Sequence, residues 1–554
     1  MIQIMFDNFI DNPLGMKKFS FFNFLQSAVF TTILLLLANT TMSSPNKKGD
    51  PISYNKNWKP ISNNKIQPSD AGKSTLIKNV WIIDGTGAAP FFGALRMEGN
   101  KILAVGNLTP LTGETVIDGR QQYITPGFID SHSHHFGSLK KEPQGIAMTN
   151  QGITTILIGQ DGDSYPMDTL QAFFMKNKVA VNVASYTGHS SLREKIMGRN
   201  NVLRAASLTE VDKMKKALAA DLQKGSFGLS SGLEYESAFY SSKEEVIALA
   251  QVAADFKRGY ISHIRSEDIQ LKDAIDEIIE IGKRTGIPVK LSHIKIANKK
   301  DWGKAGQVIQ TLDSARKAGI DITADVYPYT FWNSTLRVLF PDKKFTSLKS
   351  AELATQQLFD PNESVLVRFA PNPSYAGKTI AAIAKERNES APTTLIQLIK
   401  MADAYKKANP GAGGVEALAG KSMLEADVID FMRWEHANFC SDGAAGGHPR
   451  GYGAFTRILG KYIREQKILS LSAAIHKMTG LTAKHLQIEN RGLIAAGNFA
   501  DLVLLNPDIV EDNATIENSK ALSTGIKMVW VNGELVYQNQ NATNQFPGVL
   551  IKKN

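Results

Sequence analysis

His132 and His134 stand two apart in the run PGFIDSHSH. On an extended strand alternate residues share a face, so the two imidazoles project the same way. Two ring nitrogens held rigidly on one face make half of a site for a divalent cation. His263 in YISHIRSE, His293 in VKLSHIK and Asp442 in ANFCSDG each close another apolar, β-rich run. Any one of these histidines taken alone reads as a hydrogen-bonded core residue. Four of them, with a carboxylate, all at expected strand C-terminal ends, point to a metal centre.

Side chains spread from 132 to 442 meet only if a regular frame brings their strand ends together. Eight runs supply one: Phe128–His134, Ile153–Gly159, Val179–Thr187, Phe227–Ser231, Tyr260–His263, Val289–His293, Ile322–Tyr327 and Asn438–Asp442. The gaps between them carry helical periodicity, as in Thr209–Lys224, Lys243–Phe256, Ala274–Thr285 and Trp302–Ala318. This alternation predicts an α/β fold, a (β/α)8 TIM barrel over 124–489 whose strand ends converge on one face. Val365–Ala370 is a ninth candidate strand, assigned to an insertion. The gap from Pro341 to Asp427 is too long for one crossover and includes the Gly/Ala-rich Asn409–Gly420, so a lid-like insertion is expected at about 341–427.

Short β-rich runs flank the barrel. LIKNVWIIDGTG and ALRMEGNKILAVG lie in 74–123; Asp501–Leu505, Met528–Val531 and Leu535–Tyr537 lie in 490–545. Asn532-Gly533 between two apolar runs is a strong hairpin signal, because both turn residues need positive φ. Neither end is stable alone, and pairing the two into one small β domain would cover both.

Composition narrows the remaining classes. The 554 residues are 43% hydrophobic and 21% charged, an ordinary globular balance. A net charge of +10 without a basic block or stripe makes nucleic acid an unexpected partner; weak attraction for small anions fits at least as well. One cysteine, Cys440, excludes a disulfide framework and Cys-rich metal modules. Lys17 and Lys18 precede an apolar core from Ala28 to Ala38 and then small polar residues, the pattern of a secretory signal within 1–44, followed by a polar linker over 45–73. The core is shorter than the about 20 apolar residues a spanning helix needs. The expectation is an exported protein, periplasmic or secreted, with an uncleaved signal anchor as the alternative and the sole expected membrane contact.

PGFIDSHSH, GLSSGLEY, SHIRSE, SHIK, DVYPYT, SDG, HPRGYG and GNFADLVLL, in that order, resemble the amidohydrolase superfamily. More narrowly, the chain is similar to the N-acyl-D-amino-acid deacylases, or D-aminoacylases, over about residues 74–540. The resemblance implies a distorted barrel flanked by a β-sandwich made from both termini. It also implies zinc-dependent hydrolysis of the amide of a small N-acyl-D-amino acid. On it, His263 and His293 hold a tightly bound zinc, His132 and His134 line a second, weaker position, and Asp442 is the catalytic acid/base. A carboxylate suits that role, accepting the proton of attacking water and returning it to the departing amine.

One departure matters. Such deacylases carry a cysteine ligand after the second barrel strand, in Gly-Asn-Cys-Gly, where this chain has Gly159-Gln160-Asp161-Gly162. Asp161 is expected to replace it; a turn aspartate between glycines is the alternative. A harder carboxylate would hold zinc less exclusively and admit Mn²⁺ or Co²⁺. Cys440 comes from the wrong strand and is expected to be a buried neighbour.

The resemblance also implies an α-carboxylate subsite, for which Lys295, Tyr327, Tyr329 and Ser334 are placed, with Arg337 a further basic candidate. Lys295 and Arg337 read equally well as solvated loop charges. His189 and His448 are expected near the mouth, touching substrate or fixing loops. Phe331-Trp332 would narrow or cap the pocket. A cyclic-amide hydrolase of the dihydroorotase or hydantoinase kind is the nearest rival, but its carbamylated lysine has no counterpart in GSFGLSSGL. A non-catalytic binding protein on the same fold is the third reading.

Overall fold

The structure is a computed structural model and describes residues 74–554; the expected signal and linker lie outside the described residues. Eight short, largely buried runs form the barrel strands. They are Phe128–Asp130, Ile153–Ile158, Asn182–Ser185 continued by Thr187–Gly188, Gly228–Gly232, Gly259–His263, Val289–Leu291, Ile322–Val326 and Ala437–Phe439. Ile153–Ile158 and Ile322–Val326 are buried at every residue, as parallel strands covered on both faces must be. The ring closes where Ser133 bridges Gly443 in parallel and the Asp442 N–H donates to the His132 carbonyl at 2.9 Å.

Amphipathic helices make the crossovers. Leu271–Thr285 buries Ala274, Ile275, Ile278 and Ile281 and stops at Gly286, which takes φ 70°. Leu208–Gln223 starts on a capping box between Ser207 and Glu210. The helix expected from Trp302 begins later, at Ala305. Lys299–Asp301 forms a 3₁₀ turn first, and Gly303 at φ 84° breaks the path.

The β domain draws on both ends of the described chain. Leu502–Leu505 pairs antiparallel with Tyr123–Pro126, joining N-terminal and C-terminal strands in one nine-stranded sheet. The sheet packs its own apolar cluster, including Ile77, Leu95, Ile124, Leu502 and Trp530. The Asn532-Gly533 turn has φ 48° and 82°. A Cβ on Gly533 would lie 1.9 Å from the Gly99 carbonyl oxygen, so the two hairpin turns meet where glycine alone fits. Asp501 ties this domain to the barrel, accepting from Arg491, from the Asn532 N–H at 2.8 Å and from the Asn182 amide at 3.3 Å. The chain ends beneath the barrel. Gly548 and Ile551 N–H groups donate to Val179 and Val183, and Ile551 packs on the interior cluster of Ile129, Leu157, Phe227 and Ile261.

The insertion after the seventh strand starts earlier than the sequence suggests. Phe331–Ser334, Glu416–Lys421, Val365–Phe369 and Lys378–Thr379 form a four-stranded sheet in that order. Asn409–Gly420 is therefore no simple Gly-rich lid: its second half is an inner strand, buried from Glu416 to Gly420. Among the described residues, no helix is long and apolar enough to cross a membrane.

Candidate metal centre

The strand ends open into a cavity of about 500 Å³ bounded on its far side by the inserted sheet. His132 and His134 leave the first strand with Nε2 atoms 3.3 Å apart. Asp161 reaches between them, Oδ1 at 3.4 Å from His132 Nε2 and Oδ2 at 3.3 Å from His134 Nε2. Its Oδ1 also lies 3.3 Å from His293 Nε2, which is 3.1 Å from His263 Nδ1. Asp442 Oδ1 approaches His134 and His132 at 3.3 and 3.5 Å. Among the described residues three donor sets result: His132–His134–Asp161–Asp442 and Asp161–His263–His293, which share Asp161, and Glu234–His263–Glu267. Ring nitrogens and carboxylate oxygens converging this closely from five strand ends suit divalent cations, and nitrogen with oxygen donors suits zinc among them.

The backbone is held in unusual shapes here. Asp161, His293 and Asp442 take φ 54°, 37° and 49°, the left-handed region that L residues seldom adopt. At His293 the hold is visible: its N–H donates to Asp325 Oδ1 at 2.5 Å, and the next N–H donates to the Asp325 carbonyl at 2.8 Å. Asp325 is itself neutralised by Lys290 and receives the Ser131 hydroxyl at 3.0 Å.

Burial and charge set the protonation states. Burial holds His132 below its ordinary pKa, against the pull of Asp161 and Asp442. Burial opposes ionisation of Asp161, but His132 and His293 outweigh it and keep the carboxyl well below its usual range. Asp442 is likewise held low against burial by the Arg450 guanidinium, whose Nη1 lies 2.7 Å from Oδ2, and by His293.

The expected substrate residues divide. Ser334 and Lys295 line the cavity. The Lys295 Nζ is not a solvated charge: it is buried, 2.6 Å from Glu267 Oε1 and 2.7 Å from His293 Nδ1. Arg337 is a correction. Its guanidinium is spent on Asp403 at 2.6 Å and Glu236 at 3.1 Å and stacks on Phe345, outside the cavity lining. Of the two roles expected for His189, the structure shows loop fixing and not substrate contact. The ring is buried against Glu245 at 2.9 Å beside Arg193, fixing its loop, while its neighbour Ser190 faces the cavity. Tyr327 and Tyr329 stand behind the wall, stacked under Arg450 and Arg457. His448 packs on Tyr329 and accepts from the Arg450 N–H at 3.1 Å through Nδ1. Cys440 is fully buried, its sulfur 3.5 Å from Asp325 Oδ1, away from the cluster. Trp332 lines the cavity and donates to Ser422.

Four important groups escape the sequence reading: Glu234, Glu267, Arg450 and Tyr235. Glu234 Oε2 is 2.7 Å from His263 Nε2, and Glu267 Oε1 is 2.9 Å from His293 Nδ1. Each imidazole therefore has a carboxylate on the nitrogen turned away from its neighbour. The Tyr235 ring packs 4.6 Å from that of His263. GLEY, SHIRSE and HPRGYG held the signal, in acidic or basic residues a few places beyond a strand end.

A parallel barrel that gathers four imidazoles and two carboxylates at the C-terminal ends of its strands defines a metal-dependent hydrolase of the amidohydrolase class. The profile of the Amidohydrolase family matches residues 436–537. The chain is 30% identical over 505 residues to the N-acyl-D-glutamate deacylase of Alcaligenes xylosoxydans xylosoxydans, covering 86% of this chain and 96% of that one. It is 30% identical over 514 residues to the N-acyl-D-aspartate deacylase of the same organism, covering 88% and 96%. The N-acyl-D-glutamate deacylase of Bordetella bronchiseptica, solved with zinc and a phosphonate inhibitor, is similar at a TM-score of 0.77 and 28% identity over 87% of this chain and 99% of that one. The chain belongs to the N-acyl-D-amino-acid deacylase family of amidohydrolases.

Proposed function

We propose that this protein hydrolyses the amide bond of N-acyl-D-amino acids, releasing a carboxylate and a D-amino acid, with zinc as its metal and Asp442 as general acid/base. One observation carries this: in a chain matching deacylases along nearly their whole length, His132, His134, Asp161, His263, His293 and Asp442 meet at one cavity. Bound zinc supplies Lewis-acid polarisation of the carbonyl and activation of water. His263, His293 and Asp161 would hold the tighter ion; His132 and His134, again with Asp161, would hold a weaker second one.

The chain's own groups do the proton work. Asp442 Oδ2 is tied to Arg450, so Oδ1, facing the histidines, is the atom that takes up the proton as water adds to the amide. Arg450 makes that carboxylate a weak base and its protonated form a correspondingly strong acid, suited to protonating the departing amine. Arg450 and Ser334 line the cavity where a substrate α-carboxylate would be gripped, with Lys295 adding positive field beneath. The fourth strand, Gly228–Gly232, carries no lysine, and Lys290 is committed to Asp325, which leaves the cyclic-amide reading without its bridging group. The apolar core at 28–38 supports an exported location, periplasmic or secreted.

Steady-state assays on N-acetyl-D-methionine, its L isomer and dihydroorotate, with elemental analysis of the same sample, test the proposal. Activity on the D isomer with stoichiometric metal is expected. Metal-loaded protein inactive on acyl-D-amino acids would refute it.

A further inference from the structure

The sixth and seventh barrel strands each turn one charged side chain inward. Val289 and Leu291 on the sixth, and Ala324 and Val326 on the seventh, belong to the apolar cluster shared with the crossover helices. Lys290 and Asp325 alternate with them and therefore point into the barrel. They are 3% and 0% exposed and form an ion pair with each other. Four ligand-bearing segments are tied to this pair. Asp325 Oδ1 accepts the His293 N–H at 2.5 Å and lies 3.5 Å from the sulfur of Cys440, two residues before Asp442. Asp325 Oδ2 accepts the Ser131 hydroxyl at 3.0 Å, and Lys290 Nζ donates to the Ser131 carbonyl at 3.0 Å, one residue before His132. The same carbonyl accepts the Gln160 side-chain amide at 3.2 Å, one residue before Asp161.

Asp325 thus accepts from an ammonium, a hydroxyl, a backbone N–H and a thiol, about as many donors as its lone pairs can serve. A buried ion pair contributes little stability over apolar side chains of similar volume, since desolvation offsets the attraction. Directional, charge-assisted bonds do fix the separation of the groups they join. His293 shows the effect. Its φ of 37° is left-handed and strained for an L residue. It is held there because Asp325 accepts its N–H and, through the carbonyl at 2.8 Å, that of Ile294. Ligands fixed by such a supporting network bind a metal more tightly than ligands that must find their own positions.

We infer that Lys290 and Asp325 are positioning residues of the metal centre. Touching neither ion nor substrate, the pair sets the separation of the segments that carry His132, Asp161, His293 and Asp442, and with it zinc affinity and coordination geometry. This rests on the metal-centre reading above and goes beyond it, since it places the device that pre-organises the ligands in the barrel interior. His263, on the fifth strand, is fixed separately by Glu234.

Three quantities are measured on the full chain: zinc affinity by competition with a chromogenic chelator, the visible absorption of the Co²⁺-substituted protein, and the thermal midpoint of the metal-free protein. The natural protein is compared with Lys290→Met, Asp325→Asn and the double variant. Each single variant should lose zinc affinity by about 10- to 100-fold and shift the Co²⁺ bands, which report ligand geometry. Each also leaves one buried charge unpaired, so its midpoint should fall. The double variant carries neither charge and should regain the midpoint but not the zinc affinity or the natural Co²⁺ bands. Ser131→Ala keeps both charges and removes one hydroxyl from the network; it should weaken zinc binding by about 3-fold or more and serves if the charge variants do not fold. Zinc affinity and Co²⁺ bands equal to the natural protein's in the folded variants overturn the positioning role. So does their return together with the midpoint in the double variant. A natural protein that binds no zinc refutes the metal-centre reading itself.

Discussion

Glu234 accepts a hydrogen bond from His263 Nε2 at 2.7 Å, which leaves Nδ1 as the nitrogen that faces His293 and Asp161. The carboxylate fixes both the tautomer and the tilt of the ring, so the ligating lone pair points inward before any ion arrives. Glu234→Ala should weaken zinc binding by about 10- to 100-fold, read by competition with a chromogenic chelator, and Glu234→Gln should recover part of the loss. Equal zinc affinity in all three proteins would show that Glu234 merely fills space.

Asp161 bridges two of the donor sets, and its removal should empty both. Asp161→Ala is expected to lose bound metal and to slow hydrolysis by at least about 100-fold. Asp161→Cys should bind zinc again but discriminate more sharply against Mn²⁺, because a thiolate is the softer donor. Elemental analysis after equilibration in mixed salts reads both effects; full metal content in Asp161→Ala would remove the residue from the ligand set.

Asp501 joins barrel and β domain with few alternatives open to its partners. In Asp501→Ala, buried Arg491 keeps its charge without a counterion. Breaking one side of such a pair costs about 3–5 kcal/mol. A urea midpoint falling accordingly, with kcat of the surviving folded protein little changed, is the expected result; an unshifted midpoint would contradict it.

Lys477 gives a pH-dependent term far from the cavity. Its ammonium is buried, donating to the carbonyls of Trp434 and Ala437, and burial pushes its pKa down to about 7. The unfolded chain, with an ordinary lysine, binds more protons between about pH 7 and 10.4, so this group makes stability rise with pH across that window. The natural protein should gain up to about 1.4 kcal/mol per pH unit relative to Lys477→Met between pH 7 and 9. Parallel urea midpoints at the two pH values would contradict a depressed pKa.

Much of the frame was legible in sequence because strand and helix signals are local. The run ITTILI is a strand whatever surrounds it, and a histidine closing such a run sits at a barrel mouth once the barrel exists. Arg337 shows where such inference stops. A guanidinium near a strand end could face substrate or a neighbouring carboxylate, and the choice belongs to Asp403 on a helix sixty-six positions away. The strand Glu416–Lys421 lay hidden in a Gly/Ala-rich stretch because an inner strand of a small inserted sheet can be weakly apolar when its neighbours supply the packing.

By itself the sequence determined the donors and their order: four imidazoles and Asp442 at strand ends, an aspartate in a cysteine's place, and an alternation of elements that puts those ends on one face. Tertiary structure decided which nitrogen of each ring points inward and which cations are already spent. The division has a physical cause. Periodicity and donor chemistry are properties of neighbouring residues, whereas hydrogen-bond partnership is a competition among groups hundreds of positions apart, settled only when burial forces each polar atom to find a partner or go without.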